Sequence, residues 1–344
     1  MRIFFLIILL APISLVAQVK YSSEAKKLYN KGIKEYKEGN ETVALGLFMQ
    51  CVGEDSRYAE AYLNMSSIYF SQKKHDLALA SAKSAYHQNK FQAPIYTQLG
   101  KCYCENGQYD SAAFFLNKGV SLGDEGISNL IYLSNSQLKN EDYDGALQNL
   151  DKAIGLDEKN AGAYNARGKA KFQMADFEGA EADFNKALEL SPKSTTLLVN
   201  LANCSVAQGK YEAAQEYINT GLNTVSKNER LQLLIIQGNV YTLQDSLELA
   251  IQSFDQAFEM DQSNVVVLNN QAAILLEMDD YESALTKCNQ ALDIQPEMME
   301  AYFNRGIANE MLRNVEDACS DWEQAFILGS EKAEEFLNSA TCNE

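Results

Sequence analysis

The chain has 344 residues, 46% hydrophobic and 22% charged, with only 4 Pro and 19 Gly. That balance excludes collagen-like, low-complexity and multi-pass membrane chains. Lys and Arg number 29 against 47 Asp and Glu, a net charge of -18, so phosphate backbones and anionic lipid are repelled and no nucleic-acid partner is expected.

At the N-terminus Arg2 precedes an unbroken apolar run over residues 3–10, which Pro12 and Ser14 end. Ser14-Leu15-Val16-Ala17 then leads into the polar Gln18 and Lys20. This is the layout of a secretory signal peptide over residues 1–17, with cleavage expected after Ala17. The run is shorter than the ~20 residues of a transmembrane helix, and no cysteine follows it for lipid attachment. A periplasmic or secreted chain is expected, with no integral membrane span once the signal is removed. Residues 18–24 form a short lead.

From Ala25 the sequence repeats every 34 residues, with unit starts at 25, 59, 93, 127, 161, 195, 231, 265 and 299; only the sixth is longer, by two residues near Lys227. Position 20 is alanine in all nine units, from Ala44 and Ala78 to Ala284 and Ala318. Position 8 is always small (Gly32, Ser66, Gly100, Ser134, Gly168, Ala202, Gly238, Ala272, Gly306), and position 27 is Cys, Ala or Gly. Position 4 is Leu or Tyr throughout, and position 24 carries Phe48, Leu116, Leu150, Phe184, Ile218, Phe254 and Trp322. Positions 4, 8 and 11 share one helical face. Small residues let two helix backbones approach, and the large ones fill what remains. A turn near position 15 (Asn106-Gly107, Gln208-Gly209) and a break near position 32 (Pro192, Pro296) make each unit a helix–turn–helix, here called helices A and B.

This pattern resembles the tetratricopeptide repeat family, best in the unit running from Ala161-Gly162-Ala163-Tyr164 through Gly168, Ala180, Phe184, Ala187 and Pro192. Units one, four and six depart more, with Glu41 at a usual aromatic position and Gln137 and Ser205 at position 11. The resemblance implies an all-α, right-handed superhelical solenoid over residues 25–330 that binds a protein or extended peptide along its concave A-helix face. Position 6 on that face reads Asn30, Asn64, Gln98, Tyr132, Ala166, Asn200, Ile236, Asn270 and Asn304, and position 9 adds Asn135, Asn203 and Asn239. An asparagine amide both donates and accepts, so a ladder of them suits the backbone of an extended peptide whatever its sequence. Asn30, Asn64, Gln98, Asn135, Asn200, Asn203, Asn239, Asn270 and Asn304 are therefore the candidate groove residues. The chain's acidity favours basic or neutral segments as partners. Docking through the convex face, as an envelope-assembly or secretion accessory factor, is the alternative. The carboxylate clamp known in the family is not assembled: Ile33 and Lys101 follow Gly32 and Gly100, and only Asn304-Arg305 matches a fragment of it.

After the last unit, residues 331–340 read as one more amphipathic helix, with Ala333, Phe336, Leu337 and Ala340 apolar, and residues 331–342 fit the cap that a stacked array needs. Cys319, before the turn at Gly329-Ser330, and Cys342, after it, should reach similar heights on neighbouring antiparallel helices, which makes them a candidate disulfide. Cys51 and Cys288 occupy core positions, and Cys102 and Cys104, two apart on a helix, point in different directions. The chain has only two histidines, His75 and His87, and lacks a Gly-rich phosphate loop, HExxH and GxSxG. No metal, cofactor or catalysis is expected; the chain reads as a non-catalytic interaction scaffold.

Overall fold

The computed structural model describes residues 21–224, 230–338 and 342. The predicted signal peptide and the two-residue lengthening of the sixth repeat lie outside these residues. The contacts divide the chain into two compact units, residues 1–149 and 150–344. The first holds α1 (Ser23–Lys37), α2 (Glu41–Glu54), α3 (Ala59–Ser71), α4 (His75–Gln88), α5 (Ala93–Glu105), α6 (Tyr109–Ser121), α7 (Ile127–Lys139) and the start of α8 (Tyr143–Leu156). The second continues with α9 (Ala161–Gln173), α10 (Phe177–Leu190), α11 (Thr195–Ala207), α12 (Tyr211–Thr224), α13 (Arg230–Leu243) and α14 (Leu247–Met260). It ends with α15 (Val265–Glu277), α16 (Tyr281–Ile294), α17 (Met299–Met311), α18 (Val315–Ile327) and α19 (Glu331–Leu337). Every helix α1 to α18 starts within two residues of the boundary expected from the 34-residue period. From α1 to α7 and from α9 to α19 each helix packs on the next in the chain, the stacking of a helical-hairpin solenoid.

The small-residue columns act as predicted. A Cβ built on Gly32 would stand 2.7 Å from the Phe48 ring, and one on Gly100 would stand 2.6 Å from Leu116 Cγ. Ala44, Ala78, Ala112, Ala180, Ala214, Ala250, Ala284 and Ala318 are all fully buried. Position 24 adjusts to position 8: glycine faces Phe48, Leu116, Phe184, Phe254 or Trp322, whereas the repeats with Ala202, Ala272 and Ser66 at position 8 carry Ile218, Cys288 and Ala82 at position 24.

The A–B turn is one structure repeated nine times. Position 15 is left-handed at Gly39, Lys73, Gly107, Glu141, Ala175, Gly209, Asp245, Asp279 and Arg313. Around it the N–H of Gly39 donates to Tyr36 O at 3.1 Å and that of Asn40 to Glu35 O at 2.9 Å. Lys73 to Phe70 (3.0 Å) and Lys74 to Tyr69 (2.9 Å) repeat the pair. This double bond closes a helix by satisfying its last carbonyls, and the left-handed residue permits it. Only three of the nine are glycine, so the turn was legible in sequence at those three.

The terminal helix is shorter than the expected residues 331–340: α19 spans Glu331–Leu337 and ends at Asn338, and Ala340 lies outside the described residues. Ser330 starts it by accepting the Ala333 N–H at 3.3 Å. Ala333 and Phe336 cover Trp322, Ala318 and Ala325, which supplies the cap.

Candidate functional site

The predicted groove residues lie on the A helices, but their amides are already engaged. Asn64 Nδ2 donates to Tyr29 Oη (3.2 Å), Asn200 Nδ2 to Asn165 Oδ1 (2.8 Å) and Asn304 Nδ2 to Asn269 Oδ1 (2.9 Å), each linking position 6 to position 5 of the repeat before. Asn270 Nδ2 reaches Asn239 Oδ1 at 3.3 Å, and Gln98 Nε2 reaches Ser66 Oγ at 3.1 Å. The ladder thus stitches neighbouring repeats, and the side-chain carbonyls of Asn200, Asn270 and Asn304 have no partner among the described residues. Asn30, Asn135 and Asn203 are exposed and make no such stitch.

In the second unit the structure brings five of the nine predicted residues to three hollows. Asn200 and Asn203 line one of about 130 Å³. Asn239 and Asn270 line a second of about 380 Å³, with Leu243, Phe254 and Ile274. Asn304 lines the largest, about 540 Å³, with Asn269, Met299 and Phe303. Its far wall is Gly329 to Lys332, where the last B helix turns into α19. The cap therefore forms part of the candidate site.

A second polar system escaped sequence reading. At position 7, Arg167 binds Asp183, sixteen residues on, through Nε (2.8 Å) and Nη2 (2.6 Å), and Asp151, sixteen residues back, through Nη1 (2.7 Å). Lys171 adds a contact to Asp183 at 2.8 Å. Arg305 repeats the arrangement with Asp321 (Nη2 2.6 Å) and Asn289 (Nη1 2.8 Å). Gln271 Nε2 donates to Asp255 at 2.7 Å, and the Ser253 hydroxyl donates to Gln237 at 3.3 Å. Hydrogen bonding to the buried Asp183 drives the Arg167 pKa up, so the guanidinium stays charged. Complementary residues sixteen apart were the available signal. Arg305, the fragment of the clamp pattern, is thus occupied by its own B helix.

The sulfurs of Cys319 and Cys342 lie at bonding distance, with Cα atoms 5.7 Å apart, within the range a disulfide bridges. Cys51, Cys102, Cys204 and Cys288 are buried thiols and Cys104 is half-buried. Burial pushes Cys51 and Cys102 up to about 11 and Cys288 up to about 12, which keeps them protonated and unreactive at neutral pH. His75 is half-buried and His87 exposed. Among the described residues no cluster of His, Cys, Asp and Glu is arranged to hold a metal, and no helix is long and apolar enough to cross a membrane.

Four family models described as tetratricopeptide or TPR repeat match this chain, over residues 59–86 and 93–122, 135–175, 171–235 and 269–333. Among curated proteins, a stretch of 82 residues is 34% identical to the protein STIP1 homolog of Dictyostelium discoideum, covering 24% of this chain and 14% of that protein. A stretch of 157 residues is 29% identical to mouse DnaJ homolog subfamily C member 7, covering 41% of this chain and 31% of that protein. The likeness therefore spans less than a third of either relative. A tetratricopeptide repeat protein from Parabacteroides merdae superposes with a TM-score of 0.59 at 19% identity, over 74% of this chain and all of that one. Yeast Tom70 superposes with a TM-score of 0.51 at 13% identity, over 91% of this chain and 93% of that one. At these identities the structural likeness is one of fold.

Proposed function

This chain belongs to the tetratricopeptide repeat family, whose members generally mediate protein–protein or peptide interactions, and from that premise we propose that it is a non-catalytic scaffold binding an extended peptide along the A helices of repeats 5 to 9. The observation that carries the reading is the coincidence of Asn200, Asn203, Asn239, Asn270 and Asn304 with three hollows. Each hollow joins an apolar floor to amide groups, the combination that holds a side chain and a backbone at once. A net charge of -18 directs the groove to neutral or basic segments, with affinity falling as salt rises.

Location in the periplasm or outside the cell is part of the proposal. It is supported by the signal-peptide layout of residues 1–17 and by the Cys319–Cys342 pair, which we read as a disulfide, a bond that persists in oxidising compartments. N-terminal analysis of the protein from its native host tests export: a chain beginning near Gln18 supports it, and a retained Met1 overturns it.

The groove is tested by selecting binders from a random peptide library and titrating them against wild type and an Asn200→Ala, Asn270→Ala, Asn304→Ala triple variant. Each amide hydrogen bond contributes ~0.5–1.5 kcal/mol, so the triple variant should lose ~2–4 kcal/mol of binding. Because the same amides stitch neighbouring repeats, its melting point should fall too, and binding is compared well below that transition. Equal binding by the triple variant moves the site to the B-helix face. One observation favours that second reading, a role as an envelope-assembly or secretion accessory factor: Phe114 and Ile327, both on B helices, are 65% and 66% exposed.

A further inference from the structure

Two of the three hollows, of about 130 and 380 Å³, share a common set of repeat positions. The first is lined by Lys169, Phe172 and Gln173 of α9, Phe184 of α10, and Asn200 and Asn203 of α11. The second takes Asn239, Thr242 and Leu243 of α13, Phe254 of α14, and Asn270 and Ala273 of α15, and adds Val206 of α11 and Ile274 of α15. Both include positions 9, 12, 13 and 24 of an odd-numbered repeat with positions 6 and 9 of the next; Val206 and Ile274 enlarge the second alone.

The cause is the alternation at position 8. A Cβ on Gly168 or Gly238 would stand 2.6 Å from the ring of Phe184 or Phe254, so each ring fills space that any larger residue would take. The ring then reaches under the A helix to the floor of the hollow. In the repeats between, Ala202 and Ala272 take position 8 and Ile218 and Cys288 take position 24, so that position is not aromatic there. An aromatic floor therefore recurs once every two repeats. Charge is equally selective: Lys169 is the sole charged residue lining either hollow, it is exposed, and it forms no ion pair among the described residues.

We infer that repeats 5 to 8 read their ligand in steps of two repeats. The ligand is one extended peptide that seats an apolar side chain in each hollow and brings a carboxylate to Lys169. Two apolar hollows at equivalent register, each closed beneath by a buried Phe ring and edged by Phe172 or Leu243, call for two apolar groups at a fixed separation. An unpaired ammonium in an otherwise uncharged lining calls for one anionic group at the repeat-5 end. The rest of the segment is neutral, in keeping with the acidity of the chain. This inference rests on the groove reading above and specifies what the groove selects.

The test uses fluorescein-labelled synthetic peptides with two leucines in a serine–asparagine background, the spacer between them lengthened stepwise and one Asp placed beside either leucine. Each is titrated against the full chain by fluorescence anisotropy. One spacer length should bind best, and better than the one-leucine peptide by about tenfold or more, the effect of burying a further leucine. Ala273→Trp fills the second hollow and Asn203→Trp the first. Both positions stand clear of the Gly–Phe contacts, and circular dichroism checks that the fold is retained. Each should reduce the best peptide to one-leucine affinity and abolish the spacer optimum. Lys169→Gln should weaken binding about threefold and erase the preference for Asp at one end. Affinity that is flat across spacers, or untouched by Ala273→Trp, overturns the two-repeat register while leaving the groove reading standing. Failure of every peptide in the set to bind overturns it as well, and the library selection then decides the groove reading by itself.

Discussion

Position 7 of the A helix carries opposite chemistry in the two compact units. In the first, Met65, Leu99 and Leu133 occupy it and are buried, with the exposed Lys31 of the first repeat the exception. In the second, Arg167, Gln237, Gln271 and Arg305 occupy it and reach polar partners sixteen residues away, with Leu201 the apolar exception. The hairpin is the same in both. The small residues at positions 8, 20 and 27 therefore fix the helix spacing, while position 7 tolerates oil or a polar tie provided its partners change with it. Neither solution is inherently the stronger: burial of an apolar side chain contributes ~1.5–3 kcal/mol, and the attraction of a buried ion pair is largely offset by desolvation. They differ in what happens when one partner is taken away.

Leu99→Ala should give the largest loss, ~2–5 kcal/mol by chemical denaturation, because a fully packed site leaves a cavity. Asp321→Ala should cost about 3 kcal/mol, since it strands the Arg305 guanidinium and the Asn309 amide together. Replacing both partners, Arg305→Leu with Asp321→Leu, should recover most of that loss. A cost for Asp321→Ala below ~1 kcal/mol would reduce the tie to a surface ion pair and erase the contrast between the units. Both effects should broaden the transition rather than shift it whole, because repeats contact only their neighbours.

Smaller changes sharpen the same contrast at positions where the units agree. Ala175 holds φ at 60°, and Ala175→Gly should stabilise by about 1 kcal/mol in thermal melts. Gly107→Ala, at φ 71° with open space around it, should destabilise by a similar ~1 kcal/mol. The smallest effect is a pH dependence set by Asp55 in the first unit. Hydrogen bonds from Arg57 hold the Asp55 carboxyl down to about 2. A carboxyl lowered on folding stabilises above its ordinary value and loses that contribution as pH falls through the lowered one. The melting difference between wild type and Arg57→Gln should thus be constant at neutral pH and close between pH ~4 and ~2.

The parts of this molecule visible in sequence are those where one residue type repeats in one column. Alanine at position 20, the small residues at 8 and 27 and the position-24 fillers placed the helices and their closest contacts, because sterics there leave few choices. The left-handed turn was visible only at Gly39, Gly107 and Gly209, since Lys73, Glu141 or Arg313 adopts the same φ without advertising it. The asparagine column was visible, but not that Asn200 and Asn304 would spend their donors on the repeat before, a partner 35 residues away. The position-7 ties were missed because their chemistry varies from Arg–Asp to Gln–Asp to Ser–Gln, and only the spacing of sixteen is constant.

Trp322, described above as the filler beneath Gly306 and α19, has an optical consequence. It is the sole tryptophan, it has no exposed surface, its ring lies 4.8 Å from that of Phe336, and its indole Nε1 lacks a hydrogen-bond partner among the described residues. Light absorbed at the red edge of the protein band therefore reports on one hairpin and its lid alone. Emission should start blue and move red when α19 lifts, while the other repeats stay dark at that wavelength. A gap between the fluorescence and circular dichroism transitions would then measure, directly and without a label, how far the array frays from this end before the rest gives way.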